Sequence, residues 1–282
     1  MRIRRLAIVA VVAGAVLAGC GSSPSTLTLF RSAARGVQLK SSAIPWSSVG
    51  PGWLLATWDR NKGVPPGGQG PPGNVAHPIN SIFLVDPVGG RYLITRYAND
   101  NEELMGWSGD GRRALLVDSI TSTRISQVDL ASGRTATSFT LPTSNAVFFE
   151  SISYSRPSGL ALLITTQTND AQLLQRYSPT GTLELSYPTT FSDVGKFGGS
   201  VLSSPDGTQL ALGASKGIAL VNNDGAVVTQ VRVPGASFCE VKRWWASNVV
   251  LASCGTTTTQ PRLFTIPVNG GAATAHPRGT DR

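Results

Sequence analysis

Charged residues and histidines are scarce in this chain. Of its 282 residues, 14% are charged, 41% are hydrophobic, and only two are histidines. A disordered chain would be more charged and less apolar, so the composition predicts an ordered protein. Two histidines and three cysteines without clustered thiols argue against a zinc site and against a Ser-His-Asp triad.

The first 20 residues have the form of an export leader. Arg2, Arg4 and Arg5 precede an apolar run of about a dozen residues that ends at a small-residue cleavage site. The run is too short to span a bilayer, which takes roughly 20 apolar residues. Residues 17–20, Leu-Ala-Gly-Cys, resemble the processing site of bacterial lipoproteins. The resemblance implies a signal peptide over 1–19, lipid on Cys20 and a tether over 20–26; the alternative is an ordinary signal peptide with a chance cysteine at the cut.

Export and lipidation predict a location on the outer face of the cell membrane, outside the cytoplasm. Two or more acyl chains anchor a protein firmly, whereas a single chain holds it only marginally. Without the three leader arginines, the chain has 21 basic and 16 acidic side chains, a net charge of about +5. The basic residues are scattered, which together with export argues against a nucleic-acid partner. We expect weak attraction to anionic envelope polymers.

One pattern recurs about every 40 to 60 residues of the mature chain. Its first half is a turn with serine and glycine before an apolar strand, with copies that begin at residues 106, 154 and 203. Its second half is an apolar strand followed by a glycine turn, with copies at 82–90, 125–133, 174–181, 219–225 and 263–271. Pro, Asp and Gly are the residue types that tight turns need. The second half gives five copies of the unit.

Each copy is expected to form a small antiparallel sheet. A lone sheet leaves an apolar face in water, so the copies must stack, and radial stacking leaves only short edges. The sequence therefore predicts an all-β fold, a β-propeller of about five four-stranded blades over residues 27–282, with a Pro/Gly-rich loop insertion at 59–78. A two-sheet sandwich is the rival arrangement, because short, evenly spaced strands serve either form.

Residues 204–207, Ser-Pro-Asp-Gly, stand directly before an apolar strand. They resemble the hallmark turn of TolB-type (WD-like) propeller repeats, and residues 108–111 match it with Gly109 in place of proline. The resemblance extends over about residues 44–276 and implies a propeller, usually of six blades. It implies no single function, because such repeats occur in binding proteins and in enzymes.

The two ends of the mature chain offer one more strand each. Residues 26–30 form a good strand pattern, and residues 272–276 form a poor one. We expect these two segments to share a sheet, which would close the ring.

Cys239 and Cys254 remain as an even pair once Cys20 is lipidated. Their midpoint lies within 245–248, which replaces the Pro-Asp-Gly turn in the fifth copy, so they should face each other across a hairpin. Such neighbours reach disulfide geometry after a small adjustment, and disulfides persist outside the cytoplasm. We predict a structural disulfide. The spacing does not match the Cys-x-x-Cys redox motif.

No group of residues predicts a catalytic site. Residues 213–217 fit Gly-x-Ser-x-Gly, but that motif needs a strand-to-helix turn and a histidine, and here it joins two strands. Residues 68–73 fit the dinucleotide-binding glycine pattern but contain two prolines and cannot open a helix. Residues 100–103 offer oxygen ligands for calcium, although such a run is usually a solvated loop. We expect no cofactor and no metal.

Trp244 and Trp245 are the candidate partner-binding residues, because one ring of an adjacent pair in a tight turn should be partly exposed. The sequence favours a non-catalytic binding or scaffold module that presents loops and one propeller face to an envelope protein or polymer. Two alternatives stay open. One is a glycan-acting hydrolase or lyase with paired carboxylates in the propeller funnel, and the other is a small-ligand sensor with a closed apolar pocket.

Overall fold

The computed structural model describes residues 38–50, 52–58, 80–97, 102–108, 111–118, 123–141, 148–155, 161–168 and 171–277. Within them lie 21 β-strands and two short 3-10 helices, Ser41–Ala43 and Trp46–Ser48. The strands form five sheets, four with four strands and one with five. The prediction of an all-β fold with about five four-stranded units is confirmed.

The five sheets are the blades, numbered here along the chain. Blade 1 contains β1 (Gln38–Lys40), β2 (Leu54–Trp58), β3 (Asn80–Val85) and β4 (Arg91–Tyr97). Blade 2 contains β5 (Glu102–Trp107), β6 (Arg113–Asp118), β7 (Arg124–Asp129) and β8 (Arg134–Thr140). Blade 3 contains β9 (Phe148–Tyr154), β10 (Leu162–Gln167), β11 (Gln172–Tyr177) and β12 (Leu183–Ser186). Blade 4 contains β13 (Thr190–Phe191), β14 (Gly195–Ser203), β15 (Gln209–Ala214), β16 (Gly217–Asn222) and β17 (Val227–Arg232). Blade 5 contains β18 (Phe238–Ala246), β19 (Val249–Gly255), β20 (Arg262–Pro267) and β21 (Thr274–Ala275).

Buried serines fix the turn between the first and second strands of a repeat. The Oγ atom of Ser204 accepts a hydrogen bond from the backbone N–H of Gln209, and that of Ser108 accepts one from Arg113. The pKa of Asp206 is lowered by the hydroxyl of Ser204, which donates to its carboxylate, and by bonds from Thr208. The local chemistry of the repeat therefore stabilises the same turn in different blades.

A side-chain oxygen also fixes the turn between the last two strands of a blade. It accepts turn N–H groups in four blades and belongs to Asp86, Asp129, Ser178 and Asn222. The Asp86 carboxylate, for example, accepts from Gly90 at 2.8 Å. These four residues therefore mark equivalent positions of the repeat.

Four apolar cores join the blades in chain order. Each core lies between two neighbouring blades, from blades 1 and 2 through to blades 4 and 5. Among the described residues, no fifth buried cluster joins blade 5 to blade 1. Leu251 in blade 5 is buried outside all four cores.

The chain ends lie partly outside the described residues. Residues 26–30, predicted to pair with residues 272–276, and the insertion at 59–78 are among those that the structure does not describe. The C-terminal segment forms β21, which pairs with β20 as the last strand of blade 5. At the other end, β1 pairs with β4 and runs parallel to it.

Candidate functional site

Strand β14, the first long strand of blade 4, contains an irregular segment around the adjacent glycines Gly198 and Gly199. Its ladder with β15 pairs Phe197 with Ala214 and resumes only where Val201 faces Leu212. Residues 198–200 therefore oppose a single residue, Gly213, and form an irregular bulge with two extra residues. Gly199 has φ +85°, which only glycine adopts without strain.

This glycine bulge is the floor of a groove that crosses three blades. One cavity of about 310 Å³ lies between β14 and β18, and a second of about 350 Å³ adjoins it. Gly198 and Glu240 line both cavities, and Ser151 on β9 lines the second. Strands β9, β14 and β18 of blades 3, 4 and 5 therefore border one open space, which we call the glycine groove.

Side chains of both charges and uncharged polar side chains line the glycine groove. Lys196 and Glu240 line it together with the hydroxyls of Ser151, Ser200 and Ser237. The Glu240 carboxylate forms an ion pair with Lys242 on the same strand. Such a surface offers hydrogen bonds to a polar ligand.

Two contacts hold β18 against the bulge. The backbone N–H of Val241 donates to Ser200 Oγ at 3.0 Å. A Cβ atom on Gly213 would overlap both Ser200 Oγ and the carbonyl oxygen of Cys239. Blade 5 therefore approaches blade 4 closely because position 213 has no side chain. By contrast, a Cβ on Gly198 would meet its nearest neighbour, the Gly213 oxygen, at 3.6 Å, an ordinary contact.

Ser215 of the Gly-x-Ser-x-Gly stretch has a structural role. It lies in the tight turn between β15 and β16, where its Oγ accepts from the backbone N–H of Lys196 and donates to the carbonyl of Val194. The expectation that this motif joins two strands is confirmed.

The structure separates the two tryptophans predicted to bind a partner. Both lie within β18, not in a tight turn, because this strand continues to Ala246 through two register shifts. Trp244 packs against the core of blades 4 and 5. Trp245 is 55% exposed, and the guanidinium carbon of Arg243 lies 4.1 Å from its ring centre. Of the two candidate partner-binding residues, Trp245 therefore has the more exposed ring.

Cys239 and Cys254 form a disulfide between β18 and β19. They are direct partners in the ladder, with a Cα–Cα distance of 4.1 Å. Both belong to the core between blades 4 and 5, and Cys239 also lines the first cavity of the groove. Cys20, the predicted lipid attachment site, lies outside the described residues.

A pair of carboxylates lies across one end of blade 2. Glu102 on β5 faces Asp118 on β6, and Arg124 is the first residue of β7, next to the Val117–Ile125 pair. Burial raises the pKa of Glu102; Arg124 opposes this shift and Asp118 adds to it. Of residues 100–103, the stretch with oxygen atoms that calcium could use, residues 100 and 101 lie outside the described residues. The part of the chain that the structure describes has no group of three or more potential metal ligands.

The Glu102 pKa predicts a pH-dependent effect of Glu102→Gln. Because the folded-state pKa is raised, the folded protein favours the neutral acid, and this contribution to stability is lost as the pH rises through that pKa. We expect Glu102→Gln to raise the free energy of unfolding at pH 7 by less than about 1 kcal/mol, since the site is partly solvated. Urea unfolding at pH 4 and pH 7 measures this, and the gain should disappear at pH 4. An equal effect at both pH values would contradict it.

Sequence reasoning missed the glycine groove and the Glu102–Asp118 pair. The adjacent Gly198 and Gly199 within a strand pattern were an available signal, since glycine inside a strand often marks a bulge. The carboxylate pair had no such signal, because its register depends on strand pairing. None of the described helices has the length and hydropathy to cross a membrane.

No protein family matches the sequence, and no curated protein matches it significantly. Solved structures similar to the chain include TolB from Acinetobacter baumannii, with 19% identity and a TM-score of 0.44 over 84% of this chain and 54% of that one. A putative TolB from Agrobacterium tumefaciens has 13% identity and a TM-score of 0.49 over 70% of this chain and 75% of that one. The β-propeller domain of Swd1 from Myceliophteria thermophila has 12% identity and a TM-score of 0.49 over 70% and 67%. The chain thus spans about half the length of the first of these, 54%.

Proposed function

We propose that this protein is a lipid-anchored, extracytoplasmic β-propeller that binds an envelope protein or polymer and catalyses no reaction. The leader and Cys20 support the anchor and the location. The glycine groove supports the binding role, and it is the observation on which the proposal depends.

The groove suits the binding of a chain-like partner. The groove is open and is bordered by strands β9, β14 and β18 of three blades. Gly198, which lines both of its cavities, has no side chain. A polymer backbone can therefore approach the sheet closely. Serine hydroxyls and a separated Lys196 and Glu240 offer hydrogen bonds along its length, while the exposed ring of Trp245 offers a second contact surface.

The test is to fill the groove without changing the fold. Gly198→Leu adds a large side chain at a residue that lines both cavities. We expect it to reduce recovery of crosslinked partners from intact envelopes by at least about tenfold, which corresponds to about 1.4 kcal/mol of binding free energy. Gly198→Ala is the matched control, because its Cβ fits at ordinary contact distance. Mass spectrometry of the captured material measures the effect. The proposal fails if the unmodified protein captures no specific partner, or if Gly198→Leu captures as much as the control.

A second candidate is a glycan-acting hydrolase, and the Glu102–Asp118 pair is the observation that favours it. A raised pKa on one of two neighbouring carboxyls is the arrangement of a general acid beside a carboxylate. Glu102→Gln and Asp118→Asn should each abolish release of reducing ends from purified envelope glycans. If the unmodified protein releases none, this candidate is excluded.

A further inference from the structure

Successive blades have the same orientation. In blades 2, 3 and 4, the turn before the last strand packs through a glycine on the last strand of the preceding blade. These contacts join Gly133 to Ile94, Gly181 to Phe139 and Gly225 to Leu185, and a Cβ atom added to each glycine would lie 3.7 Å or less from its neighbour. The ends of blades 1 to 4 that carry these turns therefore lie on one side of the molecule.

Blade 5 follows the same orientation. The ring N–H of Trp244, near the end of β18, donates at 3.5 Å to the carbonyl of Leu202, near the end of β14. At that end of blade 4, the side chain of Asn223 in the turn before β17 donates to the carbonyl of Gly207 in the turn before β15. We call this side of the molecule the turn face; it contains the turns at 86–90, 129–133, 178–182, 204–208, 222–226 and 247–248.

The turn face carries most of the exposed large hydrophobic side chains. Eight such side chains are exposed among the described residues. Six of them lie at the turn face: Leu54, Val88, Leu183, Val227, Val228 and Trp245. Trp58 and Leu263 lie toward the opposite ends of their strands. Single exposed apolar side chains are normal on a soluble protein, but six on one side favour an apolar partner there.

Trp245 and Arg243 suit a lipid headgroup region. The exposed ring of Trp245 lies beside the Arg243 guanidinium, whose carbon is 4.1 Å from the ring centre. Tryptophan is enriched where a membrane meets water, because one part of its ring system is apolar and the other donates a hydrogen bond. The guanidinium binds phosphate groups. This end of β18 therefore presents the two chemistries of a lipid surface together.

The described fold begins at the turn face. Gln38, the first described residue, pairs with Arg91, the first residue of β4 after the turn at 86–90. Seventeen residues, 21–37, separate Gln38 from Cys20. The segment that leads from Cys20 therefore joins the described fold on the same side as the six apolar side chains.

We propose that the turn face lies against the lipid surface of the membrane, with the six apolar side chains at the interface. The proposal rests on the lipid anchor proposed above. Anchor and apolar side chains then act on one side of the molecule, so each strengthens the attachment that the other provides. The exposed ring of Trp245 meets lipid.

The glycine groove stays accessible in this orientation. Its first cavity lies at the ends of the strands opposite the turn face: Lys196 is the second residue of β14, Phe238 is the first residue of β18, and Ser215 lies in the turn between β15 and β16. The cavity therefore points away from the membrane, toward an envelope partner.

Paired cysteine labels in lipid vesicles test the orientation. The lipidated protein is reconstituted into vesicles of phosphatidylcholine and phosphatidylglycerol, with an environment-sensitive dye on one added cysteine beside the intact Cys239–Cys254 disulfide. Leu54→Cys and Trp58→Cys form a matched pair, because they lie at the two ends of β2, about 13 Å apart. Val228→Cys and Leu263→Cys form a second pair, since these side chains are 51% and 45% exposed at opposite ends of their blades.

Nitroxide-labelled phospholipid should quench the dye at Leu54→Cys and Val228→Cys at least about threefold more than at their matched positions, because quenching needs close approach and about 13 Å of strand separates the ends. Equal quenching within both pairs, stronger quenching at Trp58→Cys and Leu263→Cys, or no quenching at any position overturns the proposal.

Cys20→Ala tests the anchor separately. This variant should move the protein from the membrane fraction of the cells to the soluble fraction. If it does not, the proposed anchor fails, whatever the labels report. If it does and the labels show no difference between the two sides, the anchor stands and only the orientation fails.

Discussion

Replacing Gly213 with alanine is expected to lower the free energy of unfolding by about 2 to 3 kcal/mol, the usual cost of overpacking a tight site. The new Cβ would overlap the carbonyl oxygen of Cys239, a backbone atom that cannot rotate away. It would also overlap Ser200 Oγ, which accepts a hydrogen bond from the backbone N–H of Val241. The contact between blades 4 and 5 must then widen. Urea unfolding followed by circular dichroism measures the loss.

Gly198→Ala is the control for this substitution. The same change of residue type, on the strand opposite, meets no neighbour closer than 3.6 Å. We expect its effect on the free energy of unfolding to stay within about 0.5 kcal/mol. Similar losses in the two variants would mean that the cost does not come from the contact between blades 4 and 5 at Gly213.

We expect the double change Cys239→Ala and Cys254→Ala, which removes the disulfide, to lower the free energy of unfolding by about 3 kcal/mol. This is the value that chain entropy gives for a closed loop of about this size. The cysteines are 15 residues apart, and both are buried in the core between blades 4 and 5. Alanine leaves no buried polar atom in their place. Denaturant unfolding with and without a reductant measures the effect.

The reductant supplies the control for the disulfide. It should lower the stability of the unmodified protein by a similar amount and leave the double variant unchanged. If the reduced and oxidised proteins unfold at the same denaturant concentration, the disulfide does not stabilise the fold.

Much of the fold was predictable because the turns of the repeat have local causes. The residues at 108, 204, 86 and 129 stabilise turns through hydrogen bonds to groups only a few positions away. Such short-range chemistry is visible in the sequence, and it separates one strand from the next. The number of blades followed from counting these turns.

The site was harder to predict because it depends on contacts between blades. Glu240 and Ser151 line one cavity although they are 89 positions apart in the sequence. Gln127 is a similar case. It is completely buried, donates to Thr137 Oγ1 and to the carbonyl of Pro179, and accepts from the Tyr154 hydroxyl. Nothing near Gln127 in the sequence indicates its partners in blade 3, Tyr154 and Pro179.

The four cores also imply an uneven response to denaturant. In the described part of the chain, blades 2, 3 and 4 each share two cores, whereas blades 1 and 5 each share one. In a repeat fold the stability of each unit is set mainly by its contacts with its immediate neighbours, so the blades that share fewer cores are expected to open first. The Cys239–Cys254 disulfide lies in blade 5. It opposes the opening of a blade that, among the described residues, shares a core with one neighbour only. Residues 38–97 contain no cysteine, so blade 1 should be the first to melt.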